Sequence, residues 1–414
     1  MDERVLGSAE WLPMRFAGGL LIALLGGISL AIAGSRRTTP STLFLTFQLA
    51  FVHLPSCALC AVHRGLPLWF TLMTACLLTL MGLSVRRIAA WLNIGYPVLL
   101  RVLVAIPLAG WVAYAAIIYT LAILQNKLSF ASVFNLEILY DFRAEVFSNF
   151  DQRALTALGA LGYFCFPLLM IFALRNKSWL SMMLLLVLVV LLYGLTGMKA
   201  YLAVPVFTVV TFYMSQKYQS ASFLSHFLLL LMIFFACAAL LGFYLNSPWP
   251  LALFFSRGAV TPGELHIIYG DYFADTARLP IWQILRKVMP GGGELNWAEL
   301  ITKEIFGGNV GQGEGANTGM IASSFAVYGL LGVAFHFLVM LVVLALLDRF
   351  ALRDRHFWIA YAAIPSLFLL TNMELISNLI YYGLGFSLML TVCMTSRERR
   401  GQSRLDGPIE FSGA

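Results

Sequence analysis

The chain has 414 residues, of which 60% are hydrophobic and only 11% charged. Soluble domains carry about 25% charged residues, so this composition excludes a water-soluble enzyme or binding module. The net charge of +7 is spread through short loops between apolar runs, which excludes a nucleic-acid-binding patch as its cause.

In chain order, the apolar runs predict about eleven transmembrane helices. They lie at roughly 14–34, 42–62, 66–84, 97–123, 154–174, 178–194, 200–216, 222–245, 317–347, 356–372 and 374–395. The reading is an all-α, polytopic helix bundle in which residues 1–414 form a single integral membrane domain. The first run is long enough to span and is preceded by an acidic start, so no cleavable signal peptide is expected. Cys57, Cys60, Cys76, Cys165, Cys237 and Cys393 all fall inside apolar runs and read as small packed side chains. The spacing of Cys57 and Cys60 lacks the soluble fold that a redox motif needs.

Two segments are too polar to span, 124–153 and 247–316, and both are expected as loops. In the first, residues 133–147 (VFNLEILYDFRAEVF) repeat apolar side chains three and four apart, as an amphipathic helix on a membrane surface does. Lys and Arg set orientation through short loops. Arg36, Arg37, Arg86, Arg87, Arg101, Arg175, Lys177, Lys217, Arg349, Arg353, Arg355, Arg397, Arg399, Arg400 and Arg404 fall on one side, against Arg4, Arg15, Arg64 and Lys199 in short segments on the other. The expectation is a periplasmic N-terminus, a cytoplasmic C-terminus and both long loops outside. No internal repeat is visible, and midplane charges and broken helices in repeated positions, the marks of a secondary transporter, are not expected.

Ionisable groups close to lipid are costly and are functional candidates; here they gather toward the outer side. Lys199 stands at the mouth of a tight helix-to-helix turn, either facing an anion or snorkelling. Arg257 lies in FFSRGAVTPGELH (254–266), where Gly258, Pro262 and Gly263 bend the backbone and a planar guanidinium suits phosphate. Arg143 sits in the earlier loop. Glu264 and His266 follow Arg257, and Asp271 and Asp275 would share a helix face, as a sugar-binding pair or a solvated surface. Metal ranks below both, and no metal or cofactor is expected. The Gly-rich EIFGGNVGQGEGANTG (304–319) contains Glu314 and ends on Asn317 and Thr318, either of which could cap the next span. Free N–H groups there could hold a phosphate. Ala322, Ser323, Ala326, Gly329 and Gly332 allow close helix packing. Glu374, with Ser377 and Asn378 one turn on, must face a wet cavity.

Residues 316–333 (ANTGMIASSFAVYGLLGV) resemble the Asn-Thr-Gly signature of Wzy-type O-antigen and oligosaccharide repeat-unit polymerases. Ser256, Arg257, Pro262, Gly263, Tyr269 and Asp271 are similar to that family's Arg, Pro-Gly, Tyr and Asp-Phe segment. Arg143 within 140–143 (YDFR) matches an Asp-x-Arg element, and Lys199 stands where the family shows Gly-x-Arg. The specific motifs cover about 250–335, and Lys for Arg at 199 is a departure. The resemblance implies a bacterial inner-membrane glycosyltransferase related to the GT-C-like enzymes that use lipid-linked sugars. Its partners would be undecaprenyl-pyrophosphate-linked oligosaccharides and a chain-length regulator. Arg257, Lys199, Arg143, Asn317 and Thr318 would bind pyrophosphate or sugar, and Glu374, Asp271, His266 and Glu314 are the candidates for acid–base work. An O-antigen ligase using the same donor, a secondary transporter or flippase, and a scaffold protein are the alternatives.

Overall fold

A computed structural model describes residues 38–62, 68–92, 98–125, 128–130, 150–246, 261–274, 318–353 and 357–394, with isolated positions near 17–25 and 142–146. Among these residues the chain is all-helical. The helices are α1 Pro40–Gln48, α2 Leu54–Val62, α3 Leu68–Trp91, α4 Val98–Leu124, α5 Gln152–Ala160, α6 Phe166–Arg175, α7 Trp179–Thr196, α8 Ala200–Lys217, α9 Ser220–Tyr244, α10 Thr261–Tyr272, α11 Met320–Arg353, α12 Ile364–Leu369, α13 Leu375–Tyr381 and α14 Leu384–Met394. A π-helical turn, Leu49–His53, joins α1 to α2, and another, Leu161–Cys165, joins α5 to α6. A 3-10 stretch, Phe357–Ala363, leads into α12.

Seven helices are long and apolar enough to cross a bilayer, or eight if the bent pair α13–α14 is one span. The expected spans from 42–62 onward each have a helical counterpart, but the count of about eleven is not reached among the described residues. The 14–34 run lies almost wholly outside them. Helix α8 has 18 residues but is less apolar, and the 356–372 run is a short 3-10 and α-helical piece. The 66–84 run continues to Trp91, because Arg86 and Arg87 stay helical.

Lipid tails are as apolar as leucine, so the bundle is held by packing and polar contacts rather than by hydrophobic transfer. Spans Pro40–Ala61 and Arg153–Arg175 are each 78% buried and form the centre; α4 and α9, at 17%, are peripheral. Two adjoining cores result. One joins α1, α3, α10 and α11, with Phe44, Phe47, Phe70 and Phe325 among its side chains. The other joins α4 to α8 with α14, around Leu158, Tyr163, Leu192 and Tyr201.

Two helices are interrupted, which nothing in the sequence singled out. Helix α11 is interrupted at Gly329, whose φ of 65° and ψ of −154° no side-chain-bearing residue adopts readily. The pair α13–α14 bends by 60° beside Gly383, at φ 97°.

One end of the bundle is fixed by Asp348, near the C-terminus of α11. Its side chain is fully buried at the start of α1. Ser41 N–H donates to Oδ1 at 2.8 Å, Thr39 Oγ1 donates to Oδ2 at 3.1 Å, and Ser41 Oγ donates to Oδ2 as well. An anion at a helix N-terminus is favourable, and Arg86 on α3 adds a nearby positive charge. At the same end Tyr361 OH donates to the Thr38 carbonyl at 2.5 Å, and Thr38 Oγ1 donates to the Tyr218 carbonyl at 3.0 Å. The expectation that this half is nearly free of ionisable groups therefore misses a fully buried carboxylate.

Candidate functional site

The opposite end holds the candidate site. Helix α8 runs from Lys199 to the Tyr218 end, about 27 Å at 1.5 Å per residue. Helix α11 likewise runs from Thr318 to Asp348, so Lys199 and Thr318 lie at the end away from Asp348.

Helix α10 is the element that the expected 247–316 loop concealed. Its residues Pro262 to Gly270 are buried, and it packs on α2, α3, α11 and the first π turn. Of the polar residues that made this stretch look like a surface loop, Glu264 and His266 are buried, and His266 meets Thr74. A Cβ on Gly263 would come within 2.7 Å of Pro55 Cβ and 2.8 Å of the Val52 carbonyl oxygen, and one on Gly270 within 2.5 Å of the Phe70 ring. Only glycine allows this approach. Ser56 Oγ donates to the Gly263 carbonyl at 2.9 Å.

His266 lies on that same face, against the Phe70 ring with centroids 4.7 Å apart. Its Nε2 is 3.3 Å from Thr74 Oγ1, and its ring centroid is 6.0 Å from that of His53. Burial, reinforced by His53, holds His266 well below the usual imidazole range. Burial also pushes Glu264 up, and Oε1 of Glu264 meets no protein donor. Asp271 is exposed near the end of α10. Helix α10 stops at Tyr272, and Asp275 lies outside the described residues.

Glu374 occupies the N-cap position of α13, half-buried, and its Oε1 accepts from Ser377 Oγ at 2.7 Å. Its carboxylate is close enough to Tyr269 on α10 to add to the upward push that burial gives that phenol. The structure therefore brings Glu374 to the helix that carries His266.

Thr318 does not cap α11. Its hydroxyl is buried without a hydrogen bond, and Gly319 supplies the first carbonyl, to Ser323 N–H at 3.0 Å. The Met320 N–H donates to the Leu370 carbonyl at 3.1 Å. The start of α11 thus docks on the Leu370–Thr371 turn, and the expectation that its N–H groups point outward is corrected in that respect. The close docking requires Gly319, whose Cβ would stand 2.7 Å from the Thr371 carbonyl oxygen.

Lys199 is half-buried at the start of α8, behind the left-handed Gly197 that ends α7. Two residues on, Tyr201 belongs to a tyrosine group in the second core, where Tyr163 lies 5.1 Å from Tyr201 and 5.5 Å from Tyr382, centroid to centroid. Arg257, Arg143, Glu314 and Asn317 lie outside the described residues, as does most of the 133–147 amphipathic segment. Among the described residues no three His, Cys, Asp or Glu side chains gather as a metal set. Cys57, Cys60 and Cys165 are buried, and the other three cysteines are more exposed.

Sequence reasoning passed over His53. An ionisable residue inside an apolar span is a signal in itself, and His53 carried it. Tyr269 was singled out only by the family resemblance, with no role given to it.

The fold defines a class, a multi-pass helical membrane protein. No family model, no curated protein and no solved structure matches the chain.

Proposed function

We propose that this chain is a membrane-embedded glycosyltransferase of the oligosaccharide repeat-unit polymerase type, set in a bacterial inner membrane with the Lys199–Thr318–Glu374 end outward. It would move a growing glycan from undecaprenyl pyrophosphate to a fresh lipid-linked repeat unit. The observation that carries the reading is the insertion of α10 against α11 and Glu374. It puts a carboxylate, an imidazole and a phenol at the same end of the bundle as a half-buried lysine. A glycosyl transfer from a pyrophosphate needs a group to take the acceptor proton and a cation to meet the charge on the leaving group. Glu374 suits the first role and Lys199 the second, with Arg257 and Arg143 as further cations and Asp271, Glu314, Asn317 and Thr318 as sugar or phosphate contacts. The resemblance of 250–335 to the polymerases supports the same reading.

The test is a deletion strain and a reconstituted reaction. Loss of the gene should leave lipid A–core with at most one repeat unit, and purified protein with lipid-linked repeats should make longer chains. Complete loss of O-antigen with accumulated lipid-linked polymer would replace polymerase by ligase. A secondary transporter is the second reading, favoured by the breaks at Gly329 and Gly383, since interrupted helices line transport sites. Single repeats retained on the cytoplasmic face of the deletion strain would establish it.

A further inference from the structure

We propose that His53 and His266 form a proton-operated latch that holds α10 against the bundle while both rings are neutral and frees it when a proton binds.

Three independent features build the latch. First, His53 ends the π turn Leu49–His53. One extra residue in a helical turn re-aims the side chains that follow, and such turns recur at functional sites. Second, neither ring nitrogen of His53 meets a donor or acceptor among the described residues, although the residue is only 2% exposed. An imidazole buried in that condition costs stability, so its retention calls for a role. Third, α10 is fitted without slack: Gly263 and Gly270, on the face that carries His266, touch Pro55, Val52 and Phe70. A helix docked this closely separates as a unit or not at all.

The surroundings decide the direction of the switch. Among the described residues, the groups facing the pair from the packed elements are uncharged or distant. On α2 they are the thiols Cys57 and Cys60, and Cys60 packs on Ile267. On α3 they are Thr71 and Thr74, which do not titrate. The adjoining part of α11 offers the Tyr328 phenol. On α10 itself, Glu264 is driven toward its neutral form by burial, Tyr269 lies within electrostatic range of Glu374, and Asp271 is exposed one turn beyond. A cation on either ring would therefore be poorly compensated, and a second would meet the first across 6.0 Å between centroids. The docked state disfavours the protonated ring, as the lowered position of His266 also indicates. Docking is thus fully present above the ordinary imidazole pKa of about 6.5 and weakens as pH falls below it.

Hydrogen exchange of the full chain in nanodiscs, corrected for the intrinsic pH dependence, tests this. Peptides covering 262–272 should lose protection by about tenfold per pH unit below about pH 6 for each proton bound, while α7 peptides hold theirs. The double variants His53→Gln/His266→Gln and His53→Phe/His266→Phe should both be flat over the same range. Glu264→Gln should keep the wild-type response. A pH-independent wild-type helix overturns the latch even if neither double variant inserts. A response that survives in a double variant, or vanishes in Glu264→Gln, overturns it as well. The result does not depend on the glycosyltransferase reading.

Discussion

Asp348 shows how one side chain can organise a terminus that three segments share. Its carboxylate takes the Ser41 N–H and the Ser41 and Thr39 hydroxyls, so Asp348→Ala would leave those donors buried without an acceptor. Hydrogen bonds to a charged group contribute about 1.5–3 kcal/mol each, and their losses overlap. Asp348→Ala should destabilise the detergent-solubilised protein by about 2–4 kcal/mol, read from its unfolding midpoint, and Asp348→Asn by less. A wild-type midpoint in the alanine variant would remove this role. At the other end, Glu374→Gln keeps the size of the side chain and its contact with Ser377 while removing the charge. On the glycosyltransferase reading, polymer formation should fall by about 10²-fold or more at unchanged membrane levels, and full activity would exclude Glu374 as the base.

Among the elements, the two interrupted helices make the sharpest demands on sequence. Gly329 at φ 65° and Gly383 at φ 97° hold conformations that cost a residue with a Cβ about 1–3 kcal/mol. Gly329→Ala and Gly383→Ala should each lower stability by that amount. Gly110 in α4 has nothing within 4 Å of an added Cβ, so Gly110→Ala should be neutral or stabilise by about 0.5–1 kcal/mol through helix propensity. Equal effects at all three positions in unfolding measurements would mean that the breaks are not held by glycine geometry. Helix breaks were not legible in the sequence for a physical reason. Gly329 sits among Ala326, Gly332 and Ser324, and such a run reads as ordinary close packing; only the backbone angles distinguish a break from a contact. Helix α10 was hidden in the same way. Glu264, His266 and Asp271 lower the apolar content of Thr261–Tyr272, and only Ser56, Thr74 and Phe70, distant in the chain, reveal that part of that polarity is buried.

At the scale of the molecule, the class was legible, and so were the positions of seven spans, or eight with the bent pair, among the described residues, because an apolar run of about 20 residues is a property of composition alone. The gathering of Lys199, Thr318 and Glu374 at one end was also legible, since each stands at the start of a span of matching direction. Which of them meet was not, because that depends on the helices that pass between. Orientation rests on the Lys and Arg asymmetry. An alkaline-phosphatase fusion at about residue 280 should be active and one after Arg404 inactive; the reverse pattern would invert the bundle and place Glu374 in the cytoplasm.

The Asp348 contact also bears on synthesis. Ser41 and Asp348 are 307 residues apart, so the first described span waits for its carboxylate until most of the chain has been made. At about 5–20 residues per second, the wait is on the order of 15–60 s. Through that interval the start of α1 is a helix N-terminus without its anion. A chain arrested before Asp348 therefore presents an unfinished first span to membrane proteases, and the ribosome's progress through α11 decides when that exposure ends.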